Sequence, residues 1–339
     1  MAVVRAALIT PLSGSLAEFG RATARALQLW AERYAGPEQV RLQVHDARPK
    51  PADAVRRAEQ EGPDLLFGPY GSGTAEAVAD AAARLVWNHS GATVTARPNT
   101  VDLLAPASTY FDGAVRAVHR ADLGHPRFCV LHNETGFGRD VADGAARTAA
   151  HLGHHVETAV LPAAPSADAD VLLVAGRFRG ERAAARRYWP GRWRAVGFVG
   201  AGVDDVLANL GSRREGLLGP AQWMASAAPE PDEGPPAPEF ARAYRRSSGQ
   251  DPPYPAAQAF SAGLIAGRCL REAGSSEDGA LLRAARRLDR TTLFGRFRLD
   301  PNTGRQVGHH VLTVQWQEGE RVVVWPPERA GAQLRHPLP

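Results

Sequence analysis

The 339-residue chain has two cysteines and one lysine, and it lacks any apolar run near the roughly 18 residues that cross a bilayer. Each shortage excludes something. Cys129 lies in the apolar run Arg127 to Leu131 and Cys269 on a predicted helix, so buried free thiols are expected rather than a disulfide framework. Lys50, in an Ala-Arg-Pro-Lys-Pro setting, suits neither a phosphate-binding loop nor a Schiff base, which removes two large enzyme classes. No cysteine or acidic ligand completes a zinc spacing with His151, His154 and His155, which read as solvated at a helix end, or with His309 and His310, which read as strand residues. The nucleophile-elbow pattern G-x-S-x-G fails because Tyr70 stands two positions before Ser72. His132-Asn133-Glu134 offers an acid or base without a nucleophile beside it.

What is present is ordinary globular composition, 44% hydrophobic and 22% charged, at about twice the length of one domain. Forty basic residues against 36 acidic ones give a net charge of +4, read as spread without a basic block, so no nucleic-acid partner is expected. Strand-length apolar runs alternate with segments of helical period, the pattern of an α/β fold. Strands are expected at 3–9, 40–46, 64–68 and 92–96, with helices at 18–34, 52–61 and 74–86 between them. The pattern restarts at 127–133 with a helix at 140–152 and strands at 155–160, 171–176 and 195–200, which suggests a second sheet. Beyond a Pro- and acid-rich surface connection at 229–238 come helices at 239–247, 256–272 and 279–288. Short strands follow at 295–299, 311–316 and 322–325, the last two joined by a turn at Glu318-Gly319.

Two glycine-bearing turns draw attention. In Leu65-Leu66-Phe67-Gly68-Pro69-Tyr70-Gly71-Ser72-Gly73-Thr74 a strand ends in small residues and opens a helix. Ser72 or Gly73 would cap that helix, and its first amides, at the positive end of the dipole, suit an anion or a carbonyl oxygen. Gly197-Phe198-Val199-Gly200-Ala201-Gly202 also follows a strand but lacks the spacing of the dinucleotide fingerprint, so a dinucleotide-dependent enzyme is a distant alternative and a tight turn explains the glycines as well. Phe19, Tyr70, Phe137, Phe178 and Trp223 fall at strand ends or in loops and are candidates to line a pocket.

The order of segments resembles the type I periplasmic binding proteins, in particular the branched-chain amino acid (Leu/Ile/Val) binding proteins and their amide- and urea-binding relatives. The resemblance rests on residues 10–20, on His45-Asp46, on Phe67 to Thr74, and on Gly136-Phe137-Gly138. It continues through Tyr254-Pro255-Ala256-Ala257-Gln258-Ala259-Phe260 and Phe294-Gly295-Arg296-Phe297, with Asp300 and Gly304. It implies two Rossmann-like lobes joined by a three-stranded hinge, residues 1–114 with 226–306 and residues 115–225 with 307–339, which clamp a ligand by a population shift toward a closed form. The implied function is that of an extracytoplasmic solute-binding protein of an ABC importer, not an enzyme, without cofactor or metal. It would take a small amino-acid-like, amide or carboxylate ligand and meet a permease. A cytoplasmic sensor of the same fold is the alternative if Met1 is the native start. The implied ligand-binding residues are Phe19, Tyr70, Ser72, Gly73, Thr74, Thr95, Ala96, Arg97, Phe137, Phe178, Gly202 and Asp204. The acidic residue that holds a ligand ammonium in amino-acid binders aligns with Ala201 or Gly202, so Asp204 or Asp205 would have to replace it. Arg97 is unexpected there and would pair a carboxylate or point to solvent.

Overall fold

The computed structural model describes residues 3–94, 97–122, 124–203 and 206–336. The first half of the chain forms β1 (Val3–Thr10), α1 (Ala17–Arg33), β2 (Gln39–Asp46), α2 (Pro51–Gln60), β3 (Leu65–Tyr70), α3 (Ser72–Ala81), β4 (Val86–Ser90) and β5 (Thr100–Asp102). Then come α4 (Asp112–Arg120), β6 (Phe128–His132), α5 (Gly136–His151), β7 (Val156–Val160), β8 (Val171–Ala175), α6 (Phe178–Tyr188), β9 (Ala195–Phe198) and β10 (Leu218–Ala221). The remainder supplies α7 (Ala237–Ser248), α8 (Tyr254–Ala273), α9 (Asp278–Arg287), β11 (Asp289–Thr291), β12 (Arg296–Arg298), β13 (Leu312–Gln317) and β14 (Glu320–Trp325). No helix is long and apolar enough to cross a membrane among the described residues. The chain divides into two units, Met1–Pro106 with Trp223–His310, and Ala107–Gln222 with Val311–Pro339.

The first unit holds a parallel sheet in the order β2-β1-β3-β4-β5. Every residue of β3 is buried, as expected of a central parallel strand covered on both faces. Adjacent residues of a strand point to opposite faces, and the two helical layers follow from that. Leu66 packs with Ala54, Val55 and Ala58 of α2 and Val78 of α3. Phe67 meets Trp30 of α1 edge-on at 5.7 Å, and α8, buried along most of its length, packs against α1. Burying a side chain such as Phe67 stabilises the fold by roughly 1.5–3 kcal/mol.

The second unit holds seven strands in the order β14-β13-β10-β9-β8-β6-β7, parallel from β7 to β10 and antiparallel at β13 and β14. Its core gathers Leu131, Leu172, Val174, Trp189, Trp193, Phe198 and Trp316. Glu318 and Gly319, with φ of 57° and 81°, make the expected two-residue turn of the β13–β14 hairpin. Cys129 and Cys269 are both buried and free.

The sequence expectation has no counterpart for α4, β5, α6, β10 or β11, and two further stretches differ from it. The helix expected over 74–86 ends at Ala81, and the strand expected at 92–96 is instead β4 at Val86–Ser90. Distant side chains cause the early stop: Asn99 Nδ2 donates to the carbonyls of Ala79 and Ala82 at 2.8 and 3.0 Å, and Glu59 accepts from the amides of Ala83 and Arg84. His154, expected to be solvated, is 8% exposed, because its Nε2 lies 3.0 Å from Nδ1 of His119 and its ring packs on Phe128. Burial and the neighbouring His119 and His125 lower its pKa. His309 lies outside the strands and stacks on Phe294 at 4.1 Å.

Candidate functional site

Ligands of parallel α/β sheets bind beyond the carboxyl ends of the strands, and in the first unit β3 and β4 end side by side, with Tyr70 paired to Ser90. Tyr70 is 6% exposed and stacks on the half-buried Phe19 at 4.7 Å with an interplanar angle of 18°. Its hydroxyl lies 2.5 Å from that of Tyr254, whose pKa burial drives up, with Tyr70 adding to the effect. Three residues expected at the site, Phe19, Tyr70 and Ser72, are thus brought to one strand end together with Tyr254.

The next residues start α3. The expectation that Ser72 or Gly73 caps it is corrected: Gly71 is the N-cap, at φ 93°, and no side chain caps the helix. Ser72, Gly73 and Thr74 are therefore its first three residues, and among the described residues nothing accepts from their amides. The first amide with a helical acceptor is Ala75, bonded to Gly71 O at 2.9 Å. None of the three side chains is buried. Free N–H groups at the positive end of a helix dipole are the arrangement that holds an oxyanion.

The turn after β4 is built against this helix start. Asn88 Nδ2 donates to Gly91 O at 2.9 Å and to Asp102 Oδ1 at 2.7 Å, and Asn88 Oδ1 accepts from Gly91 N at 2.8 Å. Any Cβ at position 91 would sit 2.2 Å from that of Ala75, so glycine is what lets the turn touch the first turn of α3. Behind it, Ser90 Oγ donates to Gln258 Oε1 at 2.7 Å. His89 Nδ1, 2.9 Å from the same hydroxyl, must then carry the hydrogen, which leaves Nε2 a buried acceptor without a donor. Full burial pushes the His89 pKa down to about 3, so the ring is neutral at physiological pH.

Ser90, Tyr254 and Gln258 were not singled out as site residues. A signal existed in the spacing of Tyr254 and Gln258, four apart on a helix that is otherwise apolar there, which sets two polar groups on one face. Arg97 pairs with Asp80 of α3, two turns beyond Ser72. Thr95, Ala96, Asp204 and Asp205 lie outside the described residues. Trp223 is buried, its indole donating to Leu293 O at 2.8 Å.

In the second unit the expected aromatics sit at helix starts. Phe137 opens α5, which Thr135 caps by accepting from Gly138 N at 3.0 Å, and its ring meets Tyr110 edge-on at 5.3 Å. Phe178 opens α6 and packs partly on the core. Two polar side chains fix the loops there. Asn133 Oδ1 accepts from Arg177 N at 2.7 Å, while Glu181, fully buried, accepts from Gly176 N at 2.9 Å and Gly200 N at 2.6 Å. Burial pushes the Glu181 pKa up to about 8 against the opposing pull of those two amides.

Gly202, expected to touch ligand, is buried instead. A Cβ there would lie 1.8 Å from Pro220 O, and the Gly202 carbonyl accepts from Arg321. The glycine is required by this close approach to β10, which also accounts for it without a dinucleotide phosphate. Among the described residues no cluster of three metal-ligating side chains is present.

A family model described as periplasmic binding protein matches residues 3–321. The chain belongs to the periplasmic binding protein family. That family consists of solute-binding proteins rather than enzymes, and its members are extracytoplasmic. Solved structures similar in fold include a leucine binding protein, LivK, from Thermotoga maritima, at 20% identity over 94% of this chain and 97% of that one, with a TM-score of 0.76. A solute binding protein of an ABC transporter from Rhodopseudomonas palustris, in complex with 3,4-dihydroxybenzoic acid, is 18% identical over 94% and 95%, with a TM-score of 0.75. A putative branched-chain amino acid ABC transporter protein from Silicibacter pomeroyi is 15% identical over 98% and 99%, at 0.78. No curated protein matches the sequence. The fold is that of the type I periplasmic binding proteins.

Proposed function

We propose that this periplasmic binding protein is the extracytoplasmic solute-binding component of an ABC importer and that it takes a small carboxylate, amino-acid-like or aromatic. The observation that carries the reading is the set of unpartnered amides at Ser72, Gly73 and Thr74, which directly follow Tyr70 and its stack with Phe19. The amides suit the carboxylate and the aromatic pair suits an apolar body. Leucine and 3,4-dihydroxybenzoic acid, named for two proteins of similar fold, share that combination of a carboxylate and an apolar part. Glu76, one turn along α3, accepts the Thr93 hydroxyl at 2.5 Å and is engaged there rather than open to a ligand ammonium.

The test is a thermal-shift screen with leucine, isoleucine, valine, benzoate and 3,4-dihydroxybenzoate, since a ligand at 100 times its Kd adds about 2.7 kcal/mol of stability. Ser72→Pro then separates the amide from the hydroxyl. Proline fits the first helical position, but it removes one N–H. Affinity for the carboxylate falls about tenfold or more in Ser72→Pro and less in Ser72→Ala. Silence from all five compounds, or wild-type affinity in Ser72→Pro, overturns the reading.

A further inference from the structure

The expectation that positive charge is spread without a block is corrected by residues 177–194, which hold seven arginines and a single acid, Glu181. All seven arginines are exposed, and that acid is fully buried. Three of them have structural partners: Arg182 Nε donates to Val206 O at 2.7 Å, Arg192 reaches Ser166 O at 2.8 Å, and Arg194 pairs with Asp170 at 3.4 Å. Arg187 lies over the Tyr188 ring. The guanidinium groups of Arg177, Arg179 and Arg186 have no hydrogen-bond or ion-pair partner among the described residues. Burial keeps the Glu181 carboxyl protonated near neutral pH, so it does not offset these charges.

The charges form a row. Arg179, Arg182 and Arg186 recur at spacings of three and four on α6, one face of the helix, and Arg179 and Arg186 are about 10 Å apart along its axis. The opposite face, Glu181, Ala184 and Ala185, is buried in the second unit. Arg179, Arg182 and Arg186 therefore stand exposed without an aromatic neighbour in the row, whereas the arginine hot spots of protein interfaces sit with tryptophan and tyrosine in well-packed pockets. Guanidinium groups in a row, each able to grip a phosphate with two parallel hydrogen bonds, complement an extended layer of phosphates.

We propose that the exposed face of α6 docks on an anionic phospholipid surface. The attraction is electrostatic and peripheral, with the helix remaining folded against its own core. It is independent of the carboxylate site in the first unit.

The experiment is co-sedimentation of the whole protein with vesicles of phosphatidylglycerol and phosphatidylcholine in equal amounts, against vesicles of phosphatidylcholine alone. Binding is expected to the anionic vesicles only and to weaken as salt rises from about 50 to about 200 mM. The triple variant Arg179→Gln, Arg186→Gln, Arg187→Gln is expected to lose roughly a hundredfold in vesicle affinity, about tenfold or less for each charge. Its melting temperature and its thermal shifts with small carboxylates should match the wild type, which separates this proposal from the one above. No sedimentation with anionic vesicles at low salt, equal sedimentation with neutral ones, or no loss in the triple variant overturns it. Binding to poly-glutamate in the absence of vesicle binding also overturns it, in favour of an acidic protein partner.

Discussion

Both units bury a polar group behind the carboxyl ends of their strands, but with opposite proton chemistry. In the first unit His89 is held neutral beside Ser90 and Gln258, a chain of side chains from β4 to α8. In the second, Glu181 collects two backbone amides from the loops after β8 and β9. The first device joins two elements through side chains that can be replaced one at a time. The second satisfies backbone donors that every residue but proline carries, so they stay in place whatever side chain stands there. The comparison teaches that similar loop geometry can be fixed with opposite dependence on pH.

The pH profile is the largest test. His89 titrates near 3 in the folded chain and near 6.5 when unfolded, so the unfolded chain binds the extra proton between those values, and stability falls as pH drops through that window. Glu181 titrates near 8 folded and 4.5 unfolded, so its contribution is complete below pH 4.5 and is lost as pH rises toward 8. Each limb amounts to as much as about 5 kcal/mol. Denaturant unfolding across pH should show the acid limb flattened in His89→Asn and the alkaline limb flattened in Glu181→Gln. Identical profiles in wild type and both variants would end the comparison.

Replacing Glu181 by leucine should cost about 4 kcal/mol at pH 7, because it strands the amides of Gly176 and Gly200. Gln258→Leu should cost only about 1 kcal/mol, because the Ser90 hydroxyl can turn to donate to His89 Nδ1 once the ring hydrogen moves to Nε2. Equal losses, read from denaturation midpoints, would mean that the side-chain chain of the first unit is as indispensable as the backbone clamp of the second.

Much of the fold was legible because it is local. Alternation between period two and period 3.6 located β1, α1, β2, α2 and β3, then α5, β7, β8, β9, α7, α8, α9 and β12 to β14, but not α6, β10 or β11, and the Glu318-Gly319 turn announced its hairpin. β4 was missed because the helix was carried through to residue 86 and the polar run Asn88-His89-Ser90 lacks strand alternation; the partners of that run lie up to 168 residues away. The site was half legible. Strand-end chemistry pointed to Phe19, Tyr70 and Ser72, which the fold places near the end of β3, while Gly202 was assigned to ligand although its need for glycine comes from Pro220. The arginine-rich helix α6 was not anticipated from the sequence, and only burial showed that its one acid is withdrawn from the surface.

The sequence by itself determined the α/β alternation and the small-residue start of α3 beside aromatic residues, since each depends on neighbours in the chain. Tertiary structure alone decided which polar side chains lose water. Burial is set by residues far away in sequence, and it makes His89 neutral and raises the Glu181 pKa to about 8.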